Sequence, residues 1–117
     1  MPSRRQQRVA DLIHRQLAEL LKKEVHDPRL ALISLTAVSV SPDLNQAKVF
    51  YTLPEEQNPQ EVQKAFHKAT GYLRHLLAEA AILRYVPKLK FAYDESIERA
   101  DKISLLIKRA IQDDSEE

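Results

Sequence analysis

From residue 3 to about residue 25, Val9, Leu12, Ile13, Leu17, Leu20, Leu21 and Val25 recur at intervals of three and four. That spacing predicts an amphipathic helix, with Ser3 as a candidate N-cap. Asp27-Pro28 should end it, because the residue before proline is pushed out of the α region. Ile33 to Ser41 changes period: Val38 and Val40 share one parity, while Ile33, Leu35 and Ala37 share the other. This predicts a strand covered at least partly on both faces. Ser41-Pro42-Asp43-Leu44-Asn45 is turn chemistry, and Ala47, Val49, Tyr51 and Leu53 then alternate against Lys48, Phe50 and Thr52. An antiparallel hairpin follows.

After a polar, acidic loop, Asn58-Pro59 supplies a cap and a first-turn proline. Val62, Ala65, Phe66, Ala69, Leu73, Leu76, Leu77 and Ala80 then line one side of a helix expected to run to about Arg84. Gly71, the single glycine, sits on the opposite side with Lys64, Lys68 and His75, flanked by His67 and Arg74. Glycine inside a helix costs about 1 kcal/mol relative to alanine, so a kink is expected there. Lys88 to Tyr93 reads as a third strand, and Asp94 or Ser96 opens a final helix. Ile97, Ala100, Ile103, Leu106, Ile107, Ala110 and Ile111 form that helix's apolar stripe. The predicted order is α-β-β-α-(kink)-α-β-α: a single α+β domain of two layers with a three-stranded sheet, spanning 1–112, and an acidic tail over 113–117.

Composition narrows the chemistry. The chain has 117 residues and no cysteine, which removes disulfides, thiol nucleophiles and cysteine metal sites. No apolar run approaches the ~20 residues of a membrane span. Met1 to Arg5 leads into an amphipathic pattern rather than a signal peptide, so a soluble cytoplasmic protein is expected. A phosphate-cradling glycine loop needs more than one glycine. No serine has a nucleophile-elbow context, and the carboxylate pairs Glu55-Glu56 and Asp113-Asp114 fall in a loop and a tail. His67, His75 and Glu79 make an incomplete metal set. No catalytic residue, metal or cofactor is therefore assigned, and no small-molecule substrate.

Charge supplies the positive signal. The net +1 conceals +3 over residues 1–30, −3 over 43–63, +5 over 64–91 and −4 over 92–117. Such segregation suits one face meeting a polyanion, and equally an ordinary solvated surface. Arg4, Arg5 and Arg8 at the start of the first helix oppose its dipole, a placement that a partner or a frayed end would each explain. Tyr72, Tyr85, Phe91 and Tyr93 are candidates to stack on bases, although Phe91 and Tyr93 have the period of core residues.

The chain resembles the bacterial ribosome-binding factor A family over nearly its whole length. The resemblance is carried by Arg8-Val9-Ala10, Asp27-Pro28-Arg29-Leu30, Ser41-Pro42-Asp43-Leu44, Ala47-Lys48-Val49-Phe50 and Ala69-Thr70-Gly71. Leu83-Arg84-Tyr85-Val86-Pro87-Lys88-Leu89-Lys90-Phe91 and Tyr93-Asp94-Glu95-Ser96 extend it. It implies a type II KH-like fold in which Ala69, Thr70 and Gly71 form an interhelical kink instead of a Gly-x-x-Gly loop. It also implies a monomeric, non-enzymatic factor whose partners are the 30S ribosomal subunit and 16S rRNA, active in late 16S rRNA maturation, 5′-end processing and cold-shock growth. Ala100 departs from the glycine expected in many members. Joined to the charge map, the resemblance makes Arg4, Arg5, Arg8, Lys64, Lys68, Arg74, Arg84, Lys88 and Lys90 the candidate rRNA contacts. Two rivals remain: a protein-interaction module docking a basic ribosomal protein through the acidic last helix, and a general single-stranded RNA-binding KH module.

Overall fold

The computed structural model describes residues 1–80 and 83–115. Helix α1 spans Arg4–Lys23, strands β1 and β2 span Ser34–Val40 and Gln46–Thr52, and helix α2 spans Pro59–Glu79. Strand β3, Lys88–Tyr93, and helix α3, Ser96–Ser115, complete the chain. A 3-10 turn at Pro28–Leu30 sits between α1 and β1. The sheet order is β1-β2-β3, with β1–β2 antiparallel and β2–β3 parallel. Helices α1 and α2 cover one face of the sheet, giving the expected two-layer α+β arrangement.

Each element follows from local chemistry. Ser3 caps α1 in a reciprocal box: its Oγ accepts from the Gln6 amide at 3.1 Å, and Gln6 Oε1 accepts from the Ser3 amide at 2.8 Å. The same Gln6 donates from Nε2 to the Val40 carbonyl at 2.9 Å, tying the start of α1 to the end of β1. Ile13, Leu17, Val49, Val62, Ala65, Phe66 and Leu73 are almost wholly excluded from solvent. The Phe66 and Phe91 rings stack at 4.1 Å, and Tyr51 lies 4.8 Å from Phe66. This aromatic seam joins α2 to the two parallel strands. Phe91 and the half-buried Tyr93 thus serve the core.

Several expectations need correction. Helix α1 stops at Lys23 with Glu24 as its C-cap, ahead of Asp27-Pro28, whose Asp27 instead caps the 3-10 turn. Strand β1 is covered on one face only: Ser34, Thr36, Ala37 and Ser39 are exposed, and a bulge lies between Leu35 and Ala37. Helix α2 ends at Glu79 rather than near Arg84, and it runs unbroken through Gly71, which has no positive φ. The pair of helices divided at Gly71 is thus one helix in its hydrogen bonding. Thr70 shows what is unusual there, donating from its hydroxyl to the Phe66 carbonyl at 2.6 Å, a back-bond that bends helices slightly.

The largest departure is α3. Its Ile103, Leu106, Ile107 and Ile111 are each more than half exposed, and Ala100 and Ala110 are exposed as well. The side chain of Ile97 lies outside the described residues. An amphipathic stripe predicts a core contact only if the chain returns over the sheet. Among the described residues α3 takes no part in the main packing between elements. It also continues to Ser115, past Asp113, where the acidic tail is expected to begin.

Candidate nucleic-acid interface

The parallel pairing of β2 with β3 decides which basic residues meet. It places Lys88 opposite Gln46 and Lys90 opposite Lys48, and the Lys88 amide donates to the Asn45 carbonyl at 2.9 Å. The connection leading into β3 therefore lies against the β1–β2 turn. That turn is held from within: Ser41 Oγ donates to Asp43 Oδ1 at 2.6 Å, and the Asn45 amide donates to the same oxygen at 3.0 Å. These bonds hold the Asp43 carboxyl below the usual carboxylate range, the Ser41 hydroxyl contributing most. Leu44 takes φ 62°, the left-handed region that a non-glycine residue enters only when its surroundings demand it.

Between the turn, the start of α1 and the segment before β3 lies a crevice of about 450 Å³. Ser3, Arg5 and Val9 form one wall, residues 42–45 a second, and Leu83, Arg84, Tyr85 and Pro87 a third. Tyr85 is 81% exposed beside it. A neighbouring hollow of about 430 Å³ continues past Tyr85 to Arg74 and Lys88. A third, about 610 Å³, runs from Met1 and Gln6 to Lys48 and Lys90 on the uncovered face of the sheet.

The nine predicted contacts thus separate by position. Arg5, Arg84 and Lys88 line adjoining hollows at one end of the sheet, Arg4 and Arg8 are exposed on the same first turns of α1, and Lys90 is on the open face beside Lys48. None of these makes an ion pair with an acid among the described residues. Arg74 is occupied differently: half-buried, it donates from Nε to the Pro87 carbonyl at 3.2 Å and from Nη2 to the Val86 carbonyl at 3.1 Å. It clasps the segment that carries Arg84 and Tyr85. Lys64 and Lys68 lie nearer the other end of α2, in an acidic setting. Lys64 is 3.8 Å from Glu61, and Lys68 helps to lower the Asp27 carboxyl, whose principal partner is the Arg29 side chain. Ala69, Thr70 and Gly71 fall between these two groups on α2.

Lys48 belongs with the first group and was not singled out in the sequence. Its Nζ lies 5.3 Å from the Phe50 ring centroid, and both residues occupy the polar parity of β2. The alternation signalled that face, but only the pairing with Lys90 makes it a basic one. Asp43 and Asn45 were likewise assigned only to a turn, since nothing local shows that a crevice opens beside them.

Among the described residues no three histidines, aspartates or glutamates gather as metal ligands, and His75 instead pairs with Glu79 at 3.0 Å. No helix among them is long and apolar enough to cross a membrane.

A family model described as ribosome-binding factor A matches residues 5–107. The chain is 77% identical to the ribosome-binding factor A of Coxiella burnetii strain Dugway 5J108-111, over 98% of each chain. Its fold is similar to the crystal structure of ribosome-binding factor A from Thermus thermophilus, with a TM-score of 0.70 and 25% identity, covering 78% of this chain and 97% of that one. It also resembles a homology model of the Thermus thermophilus factor fitted into the cryo-EM map of its complex with 30S, with a TM-score of 0.62 and 27% identity. That match covers 74% of this chain and 91% of the other.

Proposed function

The chain belongs to the ribosome-binding factor A family, and on that premise we propose that it is a non-enzymatic assembly factor of the small ribosomal subunit. It binds free or immature 30S particles in the cytoplasm through 16S rRNA, assists late rRNA maturation and 5′-end processing, and supports growth in the cold. The observation that carries this reading is the run of cations that make no ion pair among the described residues, from α1 across the crevice to the open sheet face: Arg5, Arg84, Lys88, Lys90 and Lys48. Phosphate contacts from such a track position a protein on RNA without reading sequence. Arg74 acts by holding the track's shape. Lys64 and Lys68 contribute from a separate patch, on the other side of Ala69-Thr70-Gly71 along the same helix.

Co-sedimentation with 30S particles across a salt series tests the reading. Affinity should fall steeply with salt, because each phosphate contact releases counterions. Replacing Arg5, Arg84 and Lys88 together with alanine should weaken binding more than replacing Lys64 and Lys68. Equal, salt-independent binding by all these variants would sink the assignment.

A second reading rests on α3. An acidic segment with an exposed apolar stripe suits a basic ribosomal protein. If so, binding to protein-free 16S rRNA fragments should be far weaker than binding to 30S particles, and deleting α3 should abolish the difference.

A further inference from the structure

The crevice between α1, the β1–β2 turn and residues 83–87 has a composition that phosphate contact alone does not explain. Two exposed arginines, Arg5 and Arg84, line it, but Val9, Leu44, Leu83 and Pro87 give it apolar wall as well. Asp43 also lines it, and its depressed pKa keeps it ionised. A carboxylate beside two guanidiniums partly cancels them, so a ligand carrying only phosphate gains less here than along the open sheet face. Tyr85 adds a large ring that is 81% exposed, although apolar wall is available beside it. The Arg74 clasp on Val86 and Pro87 anchors the chain immediately after that ring. An aromatic ring held out from an anchored backbone is the arrangement that base stacking uses.

We propose that this crevice receives one unpaired nucleotide of the bound RNA, its base against Tyr85 and its phosphate between Arg5 and Arg84. A nucleotide joins a flat apolar face to an anion, which is the pairing of surfaces the crevice presents. Its volume, about 450 Å³, falls within the ~300–1,000 Å³ of small-ligand clefts. Bases that are splayed out of helices are the ones proteins stack upon, so the site selects a looped or single-stranded position over a duplex. Stacking tolerates every base, so the site needs neither a Gly-x-x-Gly loop nor sequence readout. The proposal rests on the RNA-binding reading above and adds the site and the structural class of the RNA.

The test uses the intact chain and a five-nucleotide single-stranded oligoribonucleotide, compared with the same oligonucleotide made abasic at its centre. Binding is followed by amide shifts in heteronuclear NMR. The intact oligonucleotide should shift the amides of Leu44, Asn45, Arg84 and Tyr85, and the abasic one should bind at least five-fold more weakly. Tyr85→Ala should lose about the same factor for the intact oligonucleotide and nothing further for the abasic one, while Tyr85→Phe should stay within two-fold of the wild type. Equal affinity of the intact and abasic oligonucleotides, unchanged affinity of Tyr85→Ala, or shifts confined to the open sheet face would each overturn the proposal. The 30S reading fails on a different result, a wild-type chain that does not co-sediment with 30S, so the two failures are distinguishable.

Discussion

The guanidinium of Arg74, on α2, donates to the carbonyl of Pro87, thirteen residues on, at 3.2 Å. A second bond from the same group reaches Val86 at 3.1 Å, so one side chain secures the entry to β3. Charge-assisted bonds of this kind contribute about 1.5–3 kcal/mol each when buried, and less when half-exposed as here. Arg74→Ala should therefore destabilise the fold by about 1–2 kcal/mol. It should also accelerate amide exchange over residues 84–88 beyond what global stability predicts. A variant that loses 30S binding while those amides stay protected would instead make Arg74 a direct RNA contact.

Gly71 has room for a side chain. A Cβ built there meets nothing within 4 Å, and the residue lies inside α2 without a positive φ. Gly71→Ala should raise stability by about 0.4–1 kcal/mol, read as a higher urea midpoint at unchanged slope. If 30S affinity falls while stability rises, glycine is there for the approach of a partner. A lower midpoint would show that the helix needs glycine for its own geometry.

Tyr51 is 1% exposed, and its hydroxyl donates to Gln63 Oε1 at 2.8 Å, while Gln63 Nε2 donates to the Phe91 carbonyl at 3.1 Å. Tyr51→Phe leaves the ring in place and removes the first bond, at a cost of about 1 kcal/mol. Phe66→Ala removes the ring that stacks on Phe91 and should cost about 3–5 kcal/mol. Chemical denaturation of the two variants should reproduce that order. The reverse order would mean that the hydrogen-bond relay outweighs the aromatic seam.

Acid should loosen the turns before the core. The Asp43 carboxyl is held low by the Ser41 hydroxyl and then by the Asn45 amide, Asp27 by the Arg29 side chain, and Asp94 by Ser96 and Thr36. Each depressed native value means that the unfolded chain binds the proton more readily. The stability these groups add is fully present above the ordinary aspartate value of about 3.9, and it is lost as pH falls through the depressed values. Unfolding free energy should be level from neutrality down to that range and fall below it. Asp43→Asn should flatten part of the fall, and an unaltered profile would remove Asp43 from the account.

Helix α3 can be removed as a test of its independence. A chain ending at Glu95 keeps the Thr36 hydroxyl bond to Asp94 at 2.5 Å and the Asp94 amide bond to the Tyr51 carbonyl at 2.8 Å. Its thermal midpoint should stay within a few degrees of the full chain's, since an element that packs on little contributes little to a cooperative core. A large drop would show that the apolar stripe of α3 finds the core in solution.

Much of the fold was legible from spacing alone. The four-residue spacing of Ile13, Leu17 and Leu21 and the alternation of Ala47, Val49 and Tyr51 are local records of a buried face, and all six residues are buried. The strand at Lys88–Tyr93 was bounded correctly because its alternation stops where the helix cap begins. The same logic misled at α3, whose stripe has the period of a packed helix but little surface opposite it. Periodicity shows that a face can be buried, not that anything arrives to bury it.

The sequence by itself therefore determined the elements, the inward residues and the basic character of the segments around Arg5 and Arg84. Only the tertiary structure decided that these segments meet. Asn45 and Lys88 are distant in the chain and are joined by one backbone bond of 2.9 Å, made when the chain crosses over to lay β3 parallel to β2. That crossover brings Arg84 and Tyr85 to the β1–β2 turn and leaves Lys64 and Lys68 among Glu61 and Asp27. Backbone propensity acts over a few residues, whereas the pairing of strands is settled by the burial of Tyr51, Phe66 and Phe91 together. The gathering of charge is a consequence of packing that no local pattern encodes.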